Sequence, residues 1–327
     1  MSFQLIASIG LAALPAVIWA LIFLDRKDEN FRLYWWIFAG GTLTVFPIFG
    51  IQLGYYALID AFPDMDFIAN MKDAISNFHI WIIILYAWVG ISEEIIKFLI
   101  VRYADHTHPE LIKTLSDSLK FGVLSALGFA FSENIFYFYT IWQNLGAENL
   151  LAPFLFRSTF TVCAHIIFSS LFAYFYGVSK FADDFVYFKR LRGKKLSINA
   201  NKHFRTIKVA QGLIVAMGLH AVFNTLLELQ QVIPVILLVA VMFLTLTFLL
   251  KRKTANLVFV LADKHRSVMQ PKDIEAVMEF VGMRFNGDKY QEVVAICERL
   301  LKRDPDNNVA KLFLAKAKDS MKEEKKK

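Results

Sequence analysis

The sequence has few cysteines and few charged residues. Only Cys163 and Cys297 occur in 327 residues, one in an apolar run and the other in a polar tail, so we expect no disulfide between them. No cysteine spacing typical of a zinc site is present. Charged residues make up 20% of the chain and hydrophobic residues 56%. This balance excludes an ordinary soluble domain and indicates a membrane protein.

Several familiar signatures are also missing. The chain has no H-E-x-x-H motif and no Gly-rich phosphate loop, and neither Ser92 nor Ser125 stands in a G-x-S-x-G elbow. The net charge of +7 gathers in one internal loop and in the C-terminal tail. No basic patch of the kind that forms a nucleic-acid groove is visible, so we expect the basic residues to face anionic lipid and expect no nucleic-acid partner.

Seven apolar runs are long enough to cross a bilayer as helices. They are Phe3–Leu24, Tyr34–Ile59, Ile80–Val101, Phe121–Trp142, Phe156–Val178, Ile207–Leu229 and Val232–Leu250. The sequence predicts an all-α fold, with a polytopic bundle of about seven transmembrane helices over residues 1–254 and a helical tail over 255–327. The first run is too long for a signal-peptide core and predicts a retained helix. The second contains Gly40, Gly41 and Pro47, so we expect a kink there.

The loops between the runs alternate between basic and nearly uncharged. The loop Lys180–Lys208 is the most basic, whereas the loop after the second run contains Lys72 as its only Lys or Arg. By the positive-inside rule the basic loops are cytoplasmic. Seven spans then place the N-terminus outside and the C-terminus inside.

The tail has a different composition and one repeat-like motif. Residues 287–308 form a helix-turn-helix pattern that closes on Asp304-Pro305-Asp306-Asn307-Asn308 and resembles a single tetratricopeptide repeat. Asn308 is expected to cap the second helix. Because one repeat buries little surface, we expect the tail to pack on a protein partner or on the membrane domain.

Ionisable side chains interrupt the apolar runs. Glu93 and Glu94 are adjacent, and Lys97 lies one turn further along the predicted helix. Charges at bilayer depth cost roughly 2.5–3.5 kcal/mol on insertion scales, so such residues usually face a bundle interior and mark a functional site. The simpler interpretation is an ion pair that only holds helices together.

Three further runs each carry polar groups. These are Glu133, His165, and the pair His220 and Asn224, which are one turn apart on one helix face. Taken singly, each can be an ordinary interhelical hydrogen bond. Together with Glu93, Glu94 and Lys97 they indicate a buried acid–base or metal site.

These four stretches also resemble those of a known family. The matching residues are Glu93-Glu94-x-x-Lys97, Phe129-x-x-x-Glu133, His165 and His220-x-x-x-Asn224. In this order on successive helices they are similar to the motifs of the PrsW family of intramembrane proteases, within the superfamily of CAAX prenyl endopeptidases and bacteriocin-processing enzymes. The resemblance covers roughly residues 80–229. The superfamily relatives carry His where this chain has Glu133.

The resemblance implies hydrolysis of a peptide bond in a membrane protein such as an anti-sigma factor, in the inner membrane of a bacterium. We expect Glu93 or Glu94 to act as general base on a water. His165, with Glu133, would orient that water or protonate the leaving amine, and His220 and Asn224 would stabilise the oxyanion. No cofactor is required by this mechanism.

Three alternatives remain from the residues alone. The same glutamates and histidines can hold Zn²⁺ with an open position for water. A proton-coupled transporter would use them as a proton relay, although it would also predict internal repeats. A membrane scaffold that recruits partners through its tail would not depend on these polar residues.

The predicted topology can be tested with introduced cysteines. In the Lys194→Cys variant, an impermeant thiol reagent added outside the cell should fail to react, because that loop is expected to be cytoplasmic. The matched variant Lys72→Cys should react. Labelling of Lys194→Cys in intact cells would contradict the seven-span arrangement.

Overall fold

The computed structural model describes most of the chain as helix. The described residues are 3–23, 31–75, 77–108, 112, 115–180, 200–251, 277–278, 281–282, 284–286, 288 and 290–324. The centre of the predicted basic loop and the start of the predicted tail lie outside them. Every regular element within these residues is helical, which confirms the predicted all-α class.

The helices follow the apolar runs of the sequence. They are α1 (Phe3–Phe23), α2 (Phe31–Leu43), α3 (Val45–Ala61), α4 (Phe67–Ala74), α5 (Phe78–Thr107), α6 (Leu115–Leu145), α7 (Leu151–Phe156), α8 (Val162–Lys180), α9 (Ala200–Glu228), α10 (Val232–Lys251), α11 (Tyr290–Arg303) and α12 (Asn308–Glu324). The predicted kink in the second run is a break at Thr44, between α2 and α3. A π-helical turn, Arg157–Thr161, joins α7 to α8.

Five described segments are long and apolar enough to cross a membrane. They are Phe3–Phe23, Leu33–Ala61, Asp117–Leu145, Ala147–Lys180 and Lys202–Glu228. The helix α5 carries Glu93, Glu94 and Lys97 in its interior and is not among the five. The apolar part of α10 described here, Val232–Thr245, is shorter than the others. The protein is therefore a membrane protein, and spans by α5 and α10 stay predictions.

Contacts within the chain define two compact units. The first contains Met1–Leu111, Ser118–Phe175 and Val209–Thr247, and the second contains Ile112–Asp117, Tyr176–Lys208 and Phe248–Lys327. The first unit holds all the polar residues singled out in the apolar runs. The second includes the tail.

Helix α6 is the centre of the first unit. In its apolar window 72% of the residues are buried, against 22% in α1. Its Val123, Leu127 and Ala130 pack with Val162 and Ile166 of α8, and α1 and α2 cover this cluster. Membrane helices gain no hydrophobic driving force against lipid, so close packing of small residues carries much of their association.

Glycines let neighbouring helices approach α6 closely. A Cβ atom on Gly128 would overlap the carbonyl oxygen of Phe38 in α2 and lie 2.7 Å from the backbone nitrogen of Thr42. A Cβ atom on Gly122 would lie 2.6 Å from the carbonyl oxygen of Ser169 in α8. Both distances are below normal van der Waals contact, so larger residues at these positions would push the helices apart.

The described part of the tail is a helical hairpin with its own small core. Val293, Ile296 and Leu300 of α11 pack against Ala310 and Ala317 of α12, and helical residues at 277 and 281 add to the same cluster. The cap of α12 is one residue earlier than expected, because the Oδ1 atom of Asn307, not Asn308, accepts from the backbone N–H of Ala310 at 2.9 Å. The likeness to a tetratricopeptide repeat stays a prediction.

The two cysteines are both free and buried. Cys163 lies in the first unit and Cys297 in the second. Burial raises the pKa of the Cys297 thiol to about 11, so it stays protonated at neutral pH.

The close packing at α6 yields a stability prediction. Gly128→Ala should lower the unfolding free energy by about 1–3 kcal/mol, since the added methyl group collides with backbone that cannot move independently. The matched variant is Gly50→Ala, where the added Cβ has nothing within 4 Å. It should be neutral or slightly stabilising because Ala favours helix over Gly. Thermal unfolding in detergent measures both, and equal midpoints would contradict this account of α6.

Candidate active site

The site is built on one buried turn of α5. The helix begins after Asn77, whose Oδ1 accepts from the backbone N–H groups of His79 and Ile80 at 3.0 and 3.2 Å. Between five and six turns on, the Nζ atom of Lys97 lies 2.6 Å from Oε1 of Glu94 and 3.7 Å from Oε2 of Glu93. Lys97 and Glu94 are both fully buried. The i,i+3 pair is thus a tight ion pair, and Glu93 is held more loosely.

Helix α9 brings His220 onto the two glutamates. Gly90 permits this approach, because a Cβ atom there would lie 3.0 Å from the carbonyl oxygen of Met217. Nδ1 of His220 lies 2.9 Å from Oε1 of Glu94, and its ring stacks on Phe168 with centroids 4.9 Å apart. An ionised carboxylate only accepts, so Nδ1 of His220 donates to Glu94, and in the neutral ring Nε2 then has a free lone pair. That lone pair lies 3.6 Å from Oε2 of Glu93.

Helix α8 contributes His165, whose ring centroid lies 5.2 Å from that of His220. Nζ of Lys97 lies 3.1 Å from Nδ1 of His165, and Nε2 of His165 lies 3.1 Å from Oε2 of Glu133. An ammonium group only donates, so Nδ1 of His165 accepts and Nε2 donates its proton to Glu133. The Phe129 ring contacts both partners, 4.2 Å from Nζ of Lys97 and 5.3 Å between centroids with His165. Both imidazole tautomers follow from these neighbours.

Arg157 completes the cluster, and the motif analysis did not select it. Its Nη2 atom lies 2.6 Å from Oε2 of Glu133, in an ion pair without aligned hydrogen-bond geometry. Its Nε donates to Oδ1 of Asn134 at 2.6 Å, and its guanidinium lies 4.2 Å from the centroid of the Tyr137 ring. An arginine at the edge of an apolar run was the available signal. Nothing in the spacing linked it to Glu133.

The structure does not join Asn224 to this network. Asn224 is one turn beyond His220 on α9 and partly buried. Within the described residues its side chain makes no hydrogen bond. Its amide is therefore free to bind another molecule. The other six singled-out residues, Glu93, Glu94, Lys97, Glu133, His165 and His220, lie together.

These side chains form a continuous series in which a cation, a carboxylate and an imidazole follow one another twice. The order is Arg157, Glu133, His165, Lys97, Glu94 and His220, with successive contacts of 2.6, 3.1, 3.1, 2.6 and 2.9 Å. Each carboxylate in this series has a cationic partner, as buried charges require. Glu93 stands beside the series. Its Oε2 atom is buried and makes no hydrogen bond within the described part of the chain.

Three of these groups can also hold a metal ion. One ligand atom from each of Glu93, His165 and His220 lies within 4.8 Å of the others. Two imidazoles and a carboxylate are a common donor set for catalytic zinc. Glu93 and His220 each have an atom available, and the Glu94 hydrogen bond to His220 is the kind of support that metal-bound histidines receive. Both nitrogens of His165 already have partners, so binding there requires one of those contacts to open.

A buried cluster of carboxylates, imidazoles and one ammonium within apolar helices is typical of functional sites in membrane proteins. The comparison with known families narrows this class. Residues 29–250, well over half of the chain, match the model of the "PrsW family intramembrane metalloprotease". The chain belongs to this family and is an intramembrane protease. No curated protein and no solved structure matches it significantly. Placement within the wider CAAX endopeptidase superfamily stays a prediction from the motifs.

The buried ion pair yields a second stability prediction. Lys97→Met should lower the unfolding free energy by about 3–5 kcal/mol, because it leaves the Glu94 carboxylate buried without its cation. In the double variant Lys97→Met/Glu94→Gln most of this loss should be recovered. Unfolding in mixed micelles of mild detergent and dodecyl sulfate measures each variant. A double variant no more stable than Lys97→Met would show that Lys97 does more for folding than neutralise Glu94.

Proposed function

We propose that this protease cleaves a peptide bond with Glu93 as the group that activates the water. The observation that carries the proposal is the state of the two glutamates. Glu94 is fully engaged by Lys97 and His220. Glu93 has a buried oxygen without a hydrogen bond, 3.6 Å from the free lone pair of His220. A base must have a lone pair to offer, and Glu93 has one.

The attacking water would lie beside Oε2 of Glu93 and Nε2 of His220, which are 3.6 Å apart, within hydrogen-bond reach of both. Glu93 takes a proton from this water as the water oxygen bonds to the scissile carbonyl carbon. It then gives that proton to the amine nitrogen as the C–N bond breaks. Lys97, 3.7 Å away, stabilises the carboxylate before the transfer. Because the surrounding helices exclude bulk water, these charges interact more strongly than they would at a surface.

Stabilisation of the oxyanion falls to Asn224 in this proposal. Its amide N–H groups have no partner among the described residues, and it lies one turn from His220 on the same face of α9. The His220 Nε2 lone pair accepts rather than donates, so His220 can help only after it has taken a proton. The role of His165 is to hold Lys97 in place between the water site and Glu133.

Zinc fits the same residues and would leave the cleaved bond unchanged. Glu93 and His220 would hold it, with His165 as the third ligand. When bound, Zn²⁺ supplies a nucleophilic hydroxide and a Lewis acid for the carbonyl. The donor types, and the hydrogen bond from His220 to Glu94, favour the zinc-dependent mechanism. The metal-free mechanism is favoured by His165, because both of its ring nitrogens already have partners.

The substrate and cellular setting follow the family resemblance. We infer a single-span membrane protein such as an anti-sigma factor as substrate, in the bacterial inner membrane. The N-terminus would lie outside and the C-terminus in the cytoplasm. The tail from about residue 255 would recruit or regulate, because its sequence carries no ionisable motif that matches the membrane site.

Glutamine substitutions test the proposal. Glu93→Gln should lower kcat by a factor of about 10² or more, because the amide cannot accept the proton from water. Glu148→Gln changes an exposed glutamate and should keep wild-type turnover. Each variant is assayed in detergent against a peptide derived from a single-span membrane protein, and metal content is measured in the same preparation.

These measurements distinguish the metal-free mechanism from the zinc-dependent one. Wild-type activity in protein stripped of metal favours the metal-free mechanism. Stoichiometric zinc that is lost with activity in Glu93→Gln favours the metal version. Wild-type turnover by a folded Glu93→Gln protein would contradict both.

A further inference from the structure

We propose that Arg157 is a positioning residue of this active site, which acts by fixing Glu133 and, through Glu133, the ring of His165. This inference rests on the proposed function, since it assigns a role in the same reaction. Arg157 contacts none of the groups expected to touch the substrate. Its three partners, Glu133, Asn134 and Tyr137, lie within five consecutive residues of α6.

One oxygen atom carries the connection. Oε2 of Glu133 lies 2.6 Å from Nη2 of Arg157 and 3.1 Å from Nε2 of His165. The Glu133 side chain is 31% exposed, so the packing around it leaves it room to turn away. Arg157 supplies the charge that holds it toward His165. With Glu133 in place, Nε2 of His165 must donate and Nδ1 must accept from Lys97.

The π-helical turn explains how Arg157 reaches this position. In a regular α-helix, residues eight apart are rotated by about 80° from each other, at about 100° per residue. A π-turn accommodates one extra residue, so Arg157 and His165 are related as if seven apart, about 20° from one face. The backbone N–H of Val162 bonds to the carbonyl of Arg157, five residues back. Both side chains can then meet the same Glu133 oxygen.

The turn is held from outside by α1. Nε1 of Trp19 donates to the carbonyl oxygen of Ser158 at 3.0 Å. That carbonyl belongs to the π-turn. Trp19 also packs on the core formed by α6 and α8, so the turn is fixed at the point where Arg157 departs from it.

Arg157 makes three contacts with α6, and each is chemically distinct. The ion pair sets the direction of the guanidinium, the Nε hydrogen bond to Asn134 sets its rotation, and the Tyr137 ring covers one face. Planar stacking and a fixed fork of donors are properties of Arg that Lys does not share. A residue needed only for charge balance would not require all three.

The test compares single and double variants by kcat and KM. Arg157→Gln should lower kcat by about tenfold or more and leave KM within about twofold, because it disturbs the orientation of His165 and not the binding of substrate. Glu133→Gln should behave in the same way. The double variant Arg157→Gln/Glu133→Gln should be no slower than Glu133→Gln, since Arg157 acts only through that carboxylate. Arg102→Gln, at an exposed arginine of α5, is the matched control.

A spectroscopic readout separates this role from a purely structural one. Nitrogen-15 shifts of the histidine rings distinguish the two neutral tautomers. In the wild-type protein His165 should show the Nε2–H tautomer, and in Arg157→Gln that signal should weaken while His220 keeps its Nδ1–H tautomer. This measurement does not depend on activity. A folded Arg157→Gln protein with an unchanged His165 signal and wild-type kcat would overturn the proposal.

The outcomes also distinguish this proposal from the function on which it rests. An active Glu93→Gln protein removes the proposed water activation, whereas an inactive Glu93→Gln protein with a fully active Arg157→Gln protein removes only the role of Arg157. Should Arg157→Gln fail to fold, the comparison of Glu133→Gln with the neutral double variant decides. A further tenfold loss in the double variant would show that Arg157 acts independently of Glu133.

Discussion

A buried ammonium group determines the arrangement of the whole site. Lys97 is fully buried in a helix that packs among membrane spans, and an unpaired charge there would be costly. It is neutralised by Glu94, approached by Glu93, bonded to His165 and covered by the Phe129 ring. These partners come from α5, α6 and α8. The positions of Glu94, Glu93 and His165 therefore follow from the need to solvate one cation without water.

The same constraint separates the roles of two adjacent glutamates. Glu94 accepts from Lys97 and His220 and serves to orient them. Glu93 lies next to it, and among the described residues its Oε2 atom has no hydrogen-bond donor. Identical residues one position apart thus differ in hydrogen bonding, and this difference is the basis of the separate roles proposed for them. Close packing of α9 at Gly90 maintains this difference, since it sets the distance of His220 from both carboxylates.

Much of this arrangement could be predicted from the sequence, and the failures have clear causes. Helical spacing placed Glu93, Glu94 and Lys97 on one face, and the cost of buried charge predicted that Glu133, His165 and His220 would join them. Arg157 was missed because the π-turn changes the helical phase, and the sequence has no pattern for that change. Asn224 follows His220 at the expected spacing, yet no described group occupies its amide. The shift of a cap from Asn308 to Asn307 reflects two identical residues in succession, which only backbone geometry can distinguish.

The hydrogen bond from Trp19 to Ser158 connects α1 to the proposed active site. The family match begins at residue 29, after α1 has ended. Yet α1 supplies the donor for a carbonyl in the π-turn, next to the arginine that contacts Glu133. The homologous region and the cooperative structural unit therefore have different borders. An inhibitor or a mutation acting at the first helix therefore has a route of three contacts to His165: Trp19 with the Ser158 carbonyl, Arg157 with Glu133, and Glu133 with the His165 ring.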